Sequence, residues 1–298
     1  MKNCTLIIYR NLEVMVMRVG FIGFGEVAYT LASRLRDEGV DVVTSLEGRS
    51  TRTVKLAEKA GVLDVPQEEV YSADIVISAV TPSVAIEAAK KAGEHVRGVY
   101  VDINNIAPQT VRKAGSFIKN GRFADAAIMG SVRRKGAAVL IIAAGEGAED
   151  FMKLNRYGLN IEVRGQRPGD ASAIKMLRSS YTKGVSALLW ETLLSAHMMG
   201  LEEDVMEVLE YTEGKDFRES TVSRLRSSII HAGRRYEEMR EVQSMLEEVI
   251  EPAMPSCIMR VFERLNEIDA PPDADYSDLL RLVAGKYQPP RDDEDINR

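Results

Sequence analysis

The sequence predicts an α/β N-terminal domain with a mainly parallel sheet, entered and left in sequence order, and an all-α C-terminal domain reached through a long helix. Two observations carry this reading. From position 16 to about 163, short apolar runs alternate with amphipathic stretches, the pattern of strands joined by crossover helices. Beyond Gly169 the strand-like runs vanish, and helical periodicity continues nearly to Ala284, punctuated by Gly200, Gly214, Gly233 and Pro252.

Taken in order, strands are expected at 18–22, 41–46, 75–80, 98–103, 123–128, 139–143 and 160–163, with helices at 27–38, 51–60, 83–93 and 108–120. Gly39 and Gly61 stand where two of these helices should stop. The first C-terminal helix, about 170–199, is long for a globular helix and is expected to span the junction. The domains are therefore 17–168 and 169–285. Residues 1–16 read as an extension, because Met15 and Met17 immediately precede the first convincing strand. Residues 286–298 read as a disordered tail, since Pro289 and Pro290 are followed by the charged run Arg291, Asp292, Asp293, Glu294 and Asp295.

Bulk properties narrow the class. With 298 residues and 45% hydrophobic content the chain buries a large core without staples. Its two cysteines, Cys4 and Cys257, are far apart and in no metal-like spacing, which points to a reducing compartment. A net charge of -6 argues against nucleic acid as a partner. The apolar run at 5–9 is broken by Arg10, Asn11 and Glu13 before it reaches signal or membrane-span length, so a cytoplasmic protein with no membrane contact is expected. His95, His197 and His231 are isolated, so no metal site is expected.

The first strand runs into Gly23-Phe24-Gly25-Glu26-Val27-Ala28, a G-x-G-x-x-A loop between a strand and a helix. Gly23 permits the tight turn, Gly25 lets backbone approach a pyrophosphate, and Ala28 lets the helix pack close. This is the dinucleotide loop of a Rossmann-type domain, with helix N–H groups and dipole receiving the phosphate charge. After the second strand come Glu47, Gly48, Arg49 and Ser50. An arginine followed by hydroxyls holds a ribose 2′-phosphate, which favours NADP, whereas a carboxylate from Glu47 aimed at the ribose would favour NAD. The end of the strand that starts at Ile75, Val80-Thr81-Pro82, is expected to wall the nicotinamide pocket.

Four stretches resemble the β-hydroxyacid dehydrogenase family, which includes 3-hydroxyisobutyrate and 6-phosphogluconate dehydrogenases. They are the glycine loop, Asp102-Ile-Asn-Asn-Ile-Ala-Pro108, Asp125-Ala-Ala-Ile-Met-Gly-Ser131, and Gly169-Asp-Ala-Ser-Ala-Ile-Lys175. Their order and spacing together span about 19–265. The resemblance implies that Lys175 is the catalytic acid/base, giving a proton to the substrate oxygen as reduced nicotinamide delivers hydride. A free ammonium has a pKa near ~10.4, so neighbouring positive charge such as Arg178 and a dry cleft would have to lower it. Helical spacing puts Lys175, Arg178, Ser179 and Thr182 on one polar stripe.

The resemblance further implies substrate contacts from Asn104, Asn105, Met129, Gly130, Ser131, Arg178 and Ser179, and a cofactor-closing role for Arg240 in Met239-Arg240-Glu241. The departures are specific. Ser179 replaces the family's asparagine, and Arg178 and Thr182 stand where the phosphogluconate branch has histidine and glutamate. Arg133, Arg134 and Lys135 form a basic run that suits an acidic small-molecule substrate or a solvated turn. The stripe Tyr181, Val185, Leu188, Leu189, Trp190 and Leu193 reads as core or subunit interface, and the resemblance implies a homodimer. Reduction of imines and a non-catalytic NADP-sensing module are the alternative functions.

Overall fold

A computed structural model describes residues 17–271 and 274–286. The expected N-terminal extension lies outside the described residues, as does the expected tail from 287 onward. The chain divides into two compact units at Lys175 and Met176. The division falls inside a helix rather than at the expected 168/169 boundary, because the first two turns of that helix are tied to the sheet.

In the N-terminal unit the strands are β1 (Arg18–Ile22), β2 (Asp41–Thr44), β3 (Leu63–Asp64), β4 (Ile75–Ser78), β5 (Val99–Asp102), β6 (Arg122–Ile128), β7 (Leu140–Ala144) and β8 (Asn160–Val163). They form one sheet in the order β3-β2-β1-β4-β5-β6-β7-β8. Every neighbouring pair is parallel except β6 and β7, which run antiparallel with Asp125 opposite Ala144. The helices of this unit are α1 (Glu26–Asp37), α2 (Thr51–Ala60), α3 (Gln67–Tyr71), α4 (Ala85–Ala92), α5 (Pro108–Gly115), α6 (Val132–Lys135) and α7 (Ala148–Met152).

Both faces of the central strands are covered, which is why β1, β4 and β5 read as near-continuous apolar runs rather than alternating ones. Period-two geometry divides them. Val19, Phe21, Ile75, Ile77 and Val101 face one core with Leu31 and Leu35 of α1, whereas Ile22, Val76 and Tyr100 face the other with Ala85 and Ala89 of α4. The strand order reverses between β1 and β4, and the carboxyl ends of these two strands flank the switch point where ligands bind in such sheets.

The sequence-based boundaries need four corrections. Strands 41–46 and 75–80 end at Thr44 and Ser78, before their loops turn away. The helix expected at 108–120 stops at Gly115, where Ser116 and Phe117 close it with N–H bonds to Arg112 and Ala114 carbonyls. The helix expected at 83–93 opens as a 3-10 turn, Pro82–Val84, because the proline ring sets the first turn. The two-residue edge strand β3 carried no signal, since Leu63 and Asp64 are both exposed.

The helix α8 (Asp170–Met198) runs from one unit into the other. The second unit continues with α9 (Glu202–Glu213), α10 (Phe217–Ile230), α11 (Ala232–Leu246), α12 (Met254–Leu265) and α13 (Tyr276–Ala284), so the all-α expectation for this half holds. Its core includes Trp190, Leu193, Leu225, Met239, Phe262 and Leu279, all buried. No helix among the described residues is long and apolar enough to cross a membrane.

Candidate active site

The loop after β1 uses its two glycines differently. Gly23 has φ +81, and a Cβ there would lie 2.7 Å from the Ala79 carbonyl oxygen and 2.8 Å from Val80 Cγ1. It is fixed by its own fold. Gly25 is extended, and a Cβ there would meet nothing within 4 Å. The backbone at Gly25 therefore borders open space at the start of α1, the cradle that a dinucleotide phosphate requires. Ala28 is fully buried in the core between helix and sheet. Phe24 is also buried, its ring packed edge-on against Phe21 at 5.9 Å, so of the loop residues it offers a ligand backbone rather than side chain. Val27 packs partly against the same core. Glu26 begins α1 and is gripped by Arg133, Nε to Oε1 at 2.5 Å and Nη2 to Oε2 at 2.7 Å.

Beyond β2, Glu47 and Gly48 form the tip of a turn closed by the Arg49 N–H on the Leu46 carbonyl. Glu47, Arg49 and Ser50 are all exposed. Ser50 is the N-cap of α2, its hydroxyl accepting from the Thr53 N–H at 3.3 Å, so part of its hydrogen-bonding capacity is spent on the helix.

At the ends of β4 and β5 a buried polar knot fixes the next loop. Asn104 is 5% exposed, and its carbonyl oxygen accepts the Val80 N–H at 2.7 Å while its amide donates to Ser78 Oγ at 3.2 Å. The Asn104 N–H donates to Asp102 Oδ1 at 3.0 Å. The Asn104 side chain thus ties the loop after β5 to the start of the Val80-Thr81-Pro82 wall, each end of its amide making one hydrogen bond within the protein. Asn105 beside it is exposed. Asp102 itself is fully buried with Oδ2 unpartnered, and burial, aided by the Asp125 charge, pushes its carboxyl up to about 7.

Asp125, the residue opposite Asp102 on β6, anchors α8. It accepts from the Gly169 N–H at 3.0 Å, the Ser172 N–H at 2.9 Å and the Ser172 hydroxyl at 2.8 Å. Burial raises its pKa, against the lowering effect of these bonds. The anchor satisfies donors that the first turn of a helix leaves without partners. Lys175 follows Ser172 by three residues on α8 and is half-buried. In the loop after β6, the Met129 N–H bonds the Leu140 carbonyl, Gly130 takes φ +146, and Ser131 leads into α6 with its carbonyl accepting from Arg134 and Lys135.

In the second unit, Arg178 is exposed and Ser179 half-buried. Sequence reading missed the group that engages Ser179. Lys183, with a side chain 7% exposed, donates to Ser179 Oγ and forms a 2.8 Å ion pair with Glu238 of α11. A lysine one turn beyond Ser179 on the same helix was the available signal. Arg240 is exposed and ion-paired to Glu237 on its own helix. Asp125 was quoted only as part of a motif, and nothing in its spacing announced the helix-anchoring role.

The histidines are ordinary. His95 stacks on Tyr71 at 5.6 Å and His197 pairs with Glu202. No group of residues suited to holding a metal ion occurs among the described residues.

Comparison with known proteins fits this geometry. A family described as NADP oxidoreductase, coenzyme F420-dependent, matches residues 18–106, and a domain of unknown function, DUF1932, matches 196–265. An uncharacterized 28.5 kDa protein in the 7S RNA 5′ region of Methanothermus fervidus is 43% identical over 254 residues, covering 84% of this chain and all of that protein. The solved structure of the conserved protein MTH1747, described as structurally similar to 3-hydroxyacid dehydrogenases, is 68% identical with a TM-score of 0.82, over 90% of this chain and 99% of its own. The 3-hydroxyisobutyrate dehydrogenase of Mycobacterium tuberculosis, solved with L-serine, shares the fold at 14% identity and a TM-score of 0.70, over 90% of this chain and 99% of its own.

Fold and loop thus define an oxidoreductase class of Rossmann domain that binds a nicotinamide cofactor. Within it, the chain belongs to one family with MTH1747 and the Methanothermus protein, and its fold is similar to that of the 3-hydroxyacid dehydrogenases.

Proposed function

We propose that this protein is an NADP-dependent dehydrogenase of a small, acidic β-hydroxyacid, with Lys175 moving the proton at the reacting oxygen. The observation that carries the reading is the pair of differently employed glycines. Gly23 is locked by Ala79 and Val80, while Gly25 opens its backbone to empty space at the head of α1. A bound nicotinamide supplies or accepts the hydride. Everything else falls to the chain: the Gly25 loop and the first N–H groups of α1 receive the diphosphate, and the Val80 loop, pinned by Asn104, lines the ring side.

Lys175 suits the proton-carrying role because its helix is fastened to β6 through Asp125, which limits the freedom of the first two turns. Arg49, exposed directly before the α2 N-cap, supports the 2′-phosphate and hence NADP over NAD. Exposed Glu47 sits at the turn tip, beyond the last residue of β2, rather than on the strand end from which an NAD-selective acid acts. An exposed apolar stripe on α8, Leu177, Tyr181 and Leu188, supports pairing of two copies through the helical unit, whereas Leu189, Trp190 and Leu193 of the same stretch are buried within one copy.

The test is a titration of NADPH and NADH into wild type and Lys175→Met, followed by a screen of small 2- and 3-hydroxyacids for cofactor reduction. Undiminished NADPH binding with turnover abolished in the variant supports the proposal. NADPH binding by wild type with no turnover on any hydroxyacid, keto acid or imine replaces it with a nucleotide-sensing role.

A further inference from the structure

We infer that Arg133 is a mobile phosphate clamp and that Glu26 is the carboxylate on which it rests before a dinucleotide arrives. The inference rests on the dinucleotide reading of the glycine loop.

Glu26 is the residue directly after Gly25 and the first of α1, so its carboxylate adds a fixed negative charge at the end of the helix where phosphate must settle. Left alone, that charge would oppose the ligand. Arg133, 107 positions away on α6, cancels it with a two-pronged bond. Arg52, in the first turn of α2, adds a further favourable charge interaction with Glu26. The Arg133 bond is the main influence holding the Glu26 carboxyl below its ordinary range, so both partners are charged.

The pair is built for exchange. Arg133 is 73% exposed and Glu26 38%, and ion pairs in such settings are held weakly because water screens them. A guanidinium fork fits carboxylate and phosphate equally well, and a diphosphate carries more charge than one carboxylate. The chemistry selects a nucleoside diphosphate group seated on the Gly25 loop, toward which Arg133 swings as it leaves Glu26.

Isothermal titration of NADPH into the full-length protein at about 50 and 200 mM salt tests this, with wild type, Arg133→Met, Glu26→Gln and the neighbouring Arg134→Met. Arg133→Met is expected to bind on the order of tenfold more weakly with a flatter salt dependence. Glu26→Gln is expected to bind several-fold more tightly, and Arg134→Met within about twofold of wild type. Since both residues of the pair are at the surface, melting temperatures should match wild type. Arg133→Met binding like wild type, or Glu26→Gln binding more weakly, overturns the clamp while leaving the dinucleotide reading intact. Wild type that fails to bind NADPH removes both.

Discussion

Asp102 and Asp125 stand opposite each other on the parallel strands β5 and β6, both fully buried, and only Asp125 has its oxygens fully engaged. Two carboxylates so placed cannot share the same state cheaply. Three donors at the head of α8 oppose the rise in pKa that burial imposes on Asp125. Asp102, with one bonded oxygen, is the member whose proton is retained.

This gives a pH-dependent stability with a defined sign. Asp102 titrates near about 7 in the fold and near ~3.9 in an unfolded chain, so between these values the native state binds the extra proton. Its contribution is fully present below about pH 4 and is lost as pH rises through about 7. Urea unfolding of wild type and Asp102→Asn at pH 5 and pH 8 is expected to show wild type losing about 2–4 kcal/mol relative to the variant across that interval. A constant gap would refute the assignment.

Asp125→Ala should act on the start of α8. It strands the Gly169 N–H, the Ser172 N–H and the Ser172 hydroxyl in a buried setting, at a cost of about 2–5 kcal/mol. Amide exchange at 169–175 should rise more than exchange in β1, as a local failure of the helix anchor requires.

The two loop glycines should separate folding from binding. Gly23→Ala meets carbonyl and side-chain atoms under 3 Å away at a positive φ, and is expected to lower stability by about 2–4 kcal/mol. Gly25→Ala meets nothing within 4 Å. It should melt like wild type, yet lose NADPH affinity by tenfold or more, because the added methyl occupies the approach of the diphosphate. Calorimetry and a fluorescence titration on the same samples decide the matter.

Lys183→Met removes a buried ammonium and leaves Glu238 with the longer Arg234 contact of 3.6 Å. A loss of about 2–4 kcal/mol is expected. The double variant Lys183→Met with Glu238→Gln should recover part of it, since the stranded charge is gone. If the double variant is as unstable as the sum of the single ones, Lys183 acts through packing rather than through its pair.

The sequence made the sheet readable wherever a strand was buried on both faces, because β1, β4 and β5 are near-continuous apolar runs whose polar residues, Arg18, Ser78 and Asp102, stand only at their ends. It was silent at β3, where neither Leu63 nor Asp64 is covered, and it gave no sign that β7 runs opposite to β6. The glycine loop was legible because Gly23 and Gly25 answer to backbone geometry alone. The destination of side chains was not. Asn104 has the chemistry of a ligand contact and also binds Val80 and Ser78, and Lys183 looks like any helix lysine until Glu238 of a distant segment is brought beside it. Such pairings depend on which strands end side by side and which helices pack, and neither is written in local spacing.

The Asn104 knot has an effect on how variants of this protein will be interpreted. One amide ties the ends of β4 and β5 together, so a substitution at Asn104 removes support from both segments at once. A change at Ser78 or Val80 is therefore expected to disturb the loop after β5, and a change at Asn104 the loop after β4, whichever of the two a ligand touches.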